Sequence, residues 1–325
     1  MMIWTMFAIL TLVISISAYK LSVYADKIAE ETGLGRNLVG LFILTAITSL
    51  PELITGISSV TVVQNPDIAV GDVLGSCVFN LMIIFLLDLL YRDGGSVYKR
   101  STKGHIMTAS LSMIMLSLVG FSFLVADFPL LQIGHWGITS LIIVLLYIFS
   151  LRESYQFEMT DQPKSNSNDR SSLKETYIYF SINAVIIVFA GSILPFMGDK
   201  IIEMMGWNAA FVGTIFIAFA TSLPELAVTI SAIRINAVEL AFSNLLGSNL
   251  FNMIILAIDD FFYMKGPLLA SVSSSHLTTL FSALMMTGLI LVALIKPPEK
   301  KLLNSVSLVS ILLLIIYGAN VVFSF

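Results

Sequence analysis

The chain has 325 residues, of which 57% are hydrophobic and only 12% charged, with a formal net charge of −4. Together with a mean hydropathy of +0.93, this balance lies outside that of soluble domains and indicates a polytopic membrane protein. The single cysteine, Cys77, excludes an intrachain disulfide and any Cys-based metal grouping, and nothing in the composition points to a nucleic-acid partner.

Apolar runs near the roughly 20 residues needed to cross a bilayer fall at 3–19, 37–62, 68–90, 106–126, 129–151, 176–196, 208–233, 236–263, 277–295 and 303–323. The first has no basic residue ahead of it and no small-residue cleavage site after it, so it reads as a retained helix rather than a signal peptide. Gln64-Asn65-Pro66-Asp67 and Asp127-Phe128-Pro129 read as short turns. The stretch 152–175, rich in Ser, Asn, Asp and Lys, reads as a linker. It divides the chain into a first five-helix half, 1–151, and a second, 176–325. The expected fold is therefore an all-α membrane protein of ten transmembrane helices.

Fifteen of the 17 Lys and Arg residues fall in loops after odd-numbered helices, and only Lys200 and Lys265 fall on the other side. The positive-inside rule then makes the odd loops and the central linker cytoplasmic and both termini extracellular, in a cell membrane. Because each half makes an odd number of crossings, the second half enters from the opposite face. The halves are expected to be inverted repeats, a recurrent transporter plan with the binding site near the midplane.

One motif occurs once in each half. Thr48-Ser49-Leu50-Pro51-Glu52-Leu53 and Thr221-Ser222-Leu223-Pro224-Glu225-Leu226 lie 173 residues apart, each in the middle of an apolar span. A carboxylate at that depth is costly and reads as functional. Proline removes a backbone donor and disrupts the helix, so Pro51 and Pro224 should free the carbonyls of Ile47 and Ala220, loosen those of Thr48 and Thr221, and make helices two and seven discontinuous. Freed carbonyls in lipid must meet a cavity, water or an ion. A second pair of stripes, Gly75-Ser76-Cys77-Val78-Phe79-Asn80 and Gly247-Ser248-Asn249-Leu250-Phe251-Asn252, opens helices three and eight. Ser76 shares a helix face with Asn80, as Ser248 does with Asn252, and the glycines permit close approach.

The sum is an inward-facing set of hard oxygen donors: Glu52, Glu225, Thr48, Thr221, Ser49, Ser222, Ser76, Ser248, Asn80 and Asn252. Such a set suits calcium or sodium rather than zinc or copper. Two carboxylates held close in a dry site cannot both stay ionised without a partner. One divalent ion, several monovalent ions, or protons could neutralise them in turn, which makes exchange obligatory. The first helix of each half, 3–19 and 176–196, is the candidate pair to move against the remaining core.

The paired TSLPE and GSxxFN segments resemble the alpha repeats of the sodium/calcium exchanger family within the cation/calcium exchanger superfamily, in the layout of its prokaryotic members. The resemblance implies a secondary active antiporter that exchanges Na⁺ for Ca²⁺ across the membrane, with no cofactor beyond the transported ions. It also implies that Glu52 and Glu225 with the carbonyls of Thr48 and Thr221 hold calcium, that Ser49, Ser76, Ser222 and Ser248 serve sodium, and that Asn80 and Asn252 line the centre. The chain departs from the family at Ile47 and Ala220, where glycine usually precedes the Thr-Ser pair. Asn252 stands where the potassium-dependent branch is acidic, which argues against potassium co-transport.

Other residues receive blander expectations. Asp72 reads as a solvated-mouth or helix N-terminal charge, Cys77 as packing, and His105, His135 and His276 as interfacial; Asp88, Asp259 and Asp260 receive no role. Proton-coupled exchange of calcium or another divalent cation is the alternative transport reading. An intramembrane hydrolase is disfavoured by the absence of HExxH, of Gly-x-Ser-x-Gly and of a mid-span histidine, and a transport-silent calcium sensor is the remaining class. The sequence assigns no oligomeric state.

Overall fold

A helix satisfies its own backbone groups in lipid, and helices make up nearly all of the described chain. The computed structural model describes residues 2–32, 44–91, 95–125, 132–158, 173–299, 301–302 and 306–325. In chain order the helices are α1 (Met2–Thr32), α2 (Thr45–Thr48), α3 (Leu50–Val63, with π geometry from Ser59), α4 (Pro66–Leu90), α5 (Lys103–Leu124), α6 (Ile138–Glu158), α7 (Leu173–Met205), α8 (Ala209–Thr221, π-helical over Val212–Ile217), α9 (Leu223–Arg234), α10 (Val238–Phe262), α11 (His276–Ile295) and α12 (Leu308–Ser324). Two antiparallel ladders of two residues per strand lead into α6 and α12: β1 (Gln132–Ile133) with β2 (Trp136–Gly137), and β3 (Lys301–Leu302) with β4 (Val306–Ser307). Among the described residues six helices are long and apolar enough to cross a membrane, and α8 with α9, bent by 42°, make a seventh if they are one span.

Some helices outlast the apolar runs read from the sequence. α1 continues past Tyr19 to Thr32 because no Gly or Pro interrupts residues 20–32. α7 runs on to Met205 and stops at Gly206, whose φ of +69° and 2.9 Å amide bond to the Ile202 carbonyl make a left-handed cap. The fifth helix begins at Ile138, after β2, rather than at residue 129, and it reaches Glu158, inside the stretch read as linker. Residues 37–43 of the second span, the turn at Asp127-Phe128-Pro129 and positions 159–172 of the linker lie outside the described residues.

α4 and α10 form the axis of the bundle, with 78% and 83% of their most apolar stretch buried against other helices, compared with 28% for α1. Their apolar residues join those of α5, α11 and neighbouring helices in one large core. α1 and α7 pack along each other, and their contacts with α8 make a second, separate core around Phe7, Ile14, Leu194, Ile201, Phe211 and Ile217. Glycine sets how closely α4 approaches α8. A Cβ on Gly71 would lie 2.9 Å from the Cα of Gly213, and one on Gly75 would lie 2.7 Å from the Cβ of Ala218.

Several local features recur in both halves. Gln64 and Asn236, the residues that end α3 and close the turn after α9, are the non-glycine residues with positive φ among those described, at 60° and 55°. Asp88, near the end of α4, accepts from the Ser307 amide at 2.7 Å, just before α12. Asp260, near the end of α10, accepts from the Gly137 amide at 2.9 Å, just before α6. His105 on α5 reaches Ser243 of α10 at 2.9 Å, and His276 on α11 reaches Asp67 of α4 at 2.9 Å. Both rings are buried rather than interfacial, because each helix start is tucked against a helix of the other half. Only His135 keeps a partly exposed position, against the Phe261 carbonyl.

Candidate cation site

The two TSLPE segments fold alike. Ser49 (φ −87°, ψ 10°) separates α2 from α3, and Ser222 (φ −91°, ψ 5°) separates α8 from α9. In each case proline occupies the first turn of the following helix, where a missing amide hydrogen is tolerated. Pro51 and Pro224 leave the carbonyls of Ile47 and Ala220 without an i+4 donor, as the sequence predicts. Glu52 and Glu225 then fall in the first turn of α3 and α9, where free amides and the helix dipole favour negative charge.

The structure buries all ten residues singled out in the sequence to 1% exposure or less. Their hydrogen bonds cross from one half to the other. Ser49 donates to Glu225 Oε1 (3.2 Å), and Ser222 donates to Glu52 Oε1 (3.0 Å). Within each half the matching serine of the second stripe completes the arrangement: Ser76 to Glu52 Oε1 at 3.4 Å and Ser248 to Glu225 Oε1 at 3.3 Å. Ser222 Oγ also lies 2.8 Å from Ser76 Oγ. The threonines cross over in the same way, Thr48 Oγ1 to Asn244 Oδ1 at 3.3 Å and Thr221 Oγ1 to Asp72 Oδ1 at 2.8 Å. Where α4 meets α10, Asn80 donates to Asn249 Oδ1 (3.1 Å), Asn249 donates to the Cys77 carbonyl (3.1 Å), and Asn252 Nδ2 lies 3.7 Å from Cys77 Sγ.

After these bonds are counted, four buried acceptors of the ten residues remain without a donor: Glu52 Oε2, Glu225 Oε2, Asn80 Oδ1 and Asn252 Oδ1. Burying such oxygens unpaired costs free energy, about 1–3 kcal/mol each and more when charged. Among the described residues neither glutamate makes an ion pair with Lys, Arg or His. Nor do three or more His, Cys, Asp or Glu side chains gather there to hold a metal ion. The arrangement is instead two carboxylates supplemented by amide and hydroxyl oxygens, the donor chemistry of a hard cation.

Besides His105 and His276, three residues depart from the bland expectations. Asp72 is not at a solvated mouth but fully buried, because α4 is covered by α8 at that level and Thr221 supplies a hydrogen bond. Cys77 is more than packing, since its carbonyl and sulfur both face asparagines of α10. Asp259 is also fully buried, with neither carboxylate oxygen partnered. Asn249 and Asn244 were missed as well. Asn244 stands where the first half has Asp72, which is a readable signal, whereas Asn249 stands where the first half has Cys77, and the mismatch conceals it.

Comparison with known proteins places these features in a wider set. The family model described as sodium/calcium exchanger protein matches residues 2–155 and 176–325, one block for each half. The Sodium/calcium exchanger MaX1 of Methanosarcina acetivorans is 26% identical over 295 residues, covering 78% of this chain and 81% of that protein. The Inner membrane protein YrbG of Escherichia coli is 24% identical over 250 residues, 75% of each chain. Structures of the sodium-calcium exchanger NCX_Mj, one of them soaked with Na⁺ and Ca²⁺, superpose with a TM-score of 0.63 at 19% identity, covering 98% of this chain and 97% of that one.

Proposed function

The chain belongs to the sodium/calcium exchanger family, and from that membership we propose that it is a secondary active antiporter exchanging Na⁺ for Ca²⁺ by alternating access. In this reading Glu52 and Glu225 hold the cation at mid-membrane, with the carbonyls of Thr48 and Thr221. Ser49, Ser76, Ser222 and Ser248 serve sodium, and Asn80 and Asn252 line the centre. The observation that carries the proposal is the exchange of partners: Ser49 bonds Glu225 and Ser222 bonds Glu52, so two broken helices deliver their acids into one buried network in which, among the described residues, no base pairs with either acid.

The energetics then follow from charge. A buried carboxylate without a counter-ion costs several kcal/mol, and an empty site would carry two. The barrier between access states is passable only when cations neutralise that charge, which ties outward movement of one ion to inward movement of the other. We further propose that ten spans form two inverted five-helix repeats, 1–151 and 176–325, around a cytoplasmic linker at 152–175, with both termini extracellular. The recurring Asp88/Asp260, His105/His276 and Gln64/Asn236 features support that symmetry. The close packing of α1 along α7 supports their movement as a pair, across the apolar layer they share with α8.

Purified protein in liposomes loaded with sodium should take up calcium when external sodium is removed, and uptake should not follow an imposed pH gradient. Absence of calcium flux under a sodium gradient would refute sodium coupling. Flux driven by protons alone would establish the alternative, proton-coupled exchange.

A further inference from the structure

We propose that Asp259 and Asp72 form a second cation site, on the Asp67 side of the paired glutamates, that takes a hard divalent cation such as calcium. Asp259 lies near the end of α10 at 0% exposure, and both its oxygens lack any hydrogen-bond donor. Asp72 on α4, also at 0% exposure, keeps Oδ2 without a donor while Thr221 bonds Oδ1. The two aspartates are within electrostatic reach of each other, with Asp260 the other charge that Asp259 feels. Asp260 has its own donors, the amides of Gly137 and Leu268.

Space for the Asp259 carboxylate comes from Gly56 on α3. A methyl group there would lie 2.6 Å from Oδ1 and closer still to Oδ2. Gly56 sits one turn beyond Glu52, and Asp72 one turn before Ser76, so each lies about 6 Å along its helix from the paired glutamates and their serines. Asp67, five residues before Asp72, continues the line about 7.5 Å further, and its side chain is 24% exposed.

The two halves differ at all three positions. Counting from the motifs, Gly56 corresponds to Thr229, Asp72 to Asn244 and Asp259 to Leu87. The departures therefore gather on one side and add two carboxylates there, whereas the equivalent positions of the other side hold an amide, a hydroxyl and an apolar chain. Buried carboxylate oxygens without donors need a proton or a cation, and two of them with a glycine-made recess are suited to a divalent ion.

The cation's identity rests on the exchange reading; the existence of the site does not. Equilibrium binding of ⁴⁵Ca²⁺ to the purified full chain in sodium-free detergent solution tests it. Wild type should bind two calcium ions per chain. Asp259→Asn should bind one, and Glu52→Gln with Glu225→Gln should lose the other. Gly56→Ala, which fills the recess without changing charge, should weaken the Asp259-dependent ion by at least tenfold, with an unchanged size-exclusion profile. Equal calcium stoichiometry and affinity in wild type and Asp259→Asn, or a single ion in wild type, would overturn the proposal. Loss of one ion in Asp259→Asn without any sodium-driven flux in wild type would instead sink the antiport reading and leave this site standing.

Discussion

Glu52 and Glu225 each use one oxygen to accept two serine hydroxyls and leave the other bare. On the proposed reading, the serines stabilise a carboxylate between ions, and the bare oxygen is where the next cation attaches. Removing either charge should therefore abolish exchange: Glu52→Gln and Glu225→Gln are expected to lower calcium flux by about a hundredfold or more, the scale of a broken buried charge interaction, with normal insertion and expression. Substantial flux in either variant would remove that glutamate from the site. Ser49→Ala should raise the sodium concentration for half-maximal exchange roughly tenfold, as expected for loss of one hydrogen bond to a charged group. Ser222→Ala, which also loses the contact with Ser76 Oγ, should raise it at least as much, and an unchanged sodium dependence in either variant would contradict the crossed arrangement. The glutamates were legible in the sequence because an acid beside a proline in an apolar run is costly enough to be conspicuous. The crossing of Ser49 to Glu225 was not, since spacing along a chain says nothing about which half's hydroxyl reaches which half's acid.

At the scale of elements, glycine sets how tightly α4 lies against α8. Gly75 has no room for a side chain, with the Thr214 backbone and the Ala218 methyl in the space. Gly75→Val should destabilise the folded protein by about 1–3 kcal/mol through overpacking, read as a lower melting temperature in detergent, while an exposed control such as Leu145→Val should not. Asp260 ties the end of α10 to the loop before α6 by accepting from Gly137 and Leu268. Asp260→Ala leaves both amides short of a partner and should cost about 1–3 kcal/mol by the same measurement. The apolar runs located these helices, but the ends of α1, α6 and α7 escaped because hydropathy marks where lipid begins, not where backbone hydrogen bonding stops. The π turns at Ser59–Val63 and Val212–Ile217 left no mark in composition at all.

For the whole molecule, α1 and α7 pack along each other, and their buried apolar residues fall in clusters apart from the large core around α4 and α10. On the alternating-access scheme proposed above, α1 and α7 slide together, so a bond within the pair should be harmless and a bond from the pair to α8 should not. In a Cys77→Ala background, Tyr24→Cys with Tyr179→Cys joins α1 to α7, where the two rings stack at 5.7 Å. Phe7→Cys with Phe216→Cys joins α1 to α8, where the centroids are 6.4 Å apart. Oxidation should spare calcium flux in the first and stop it, reversibly with reductant, in the second; block by both or by neither would reject the sliding pair. An all-helical chain with several apolar spans was legible from hydropathy, whereas the pairing of α1 with α7 was not, because they are as apolar as the helices they pack beside.

The pairing of α1 with α7 also sets the medium of the motion proposed above. α1 and α7 turn Met2, Ile9, Leu12, Ile16, Val185 and Phe189 outward, so on that scheme the sliding surface is wetted by acyl chains. Membrane viscosity then acts as friction on turnover without touching the ions: stiffer or longer-chain lipids should slow the exchanger while its cation affinities stay where the buried oxygens put them.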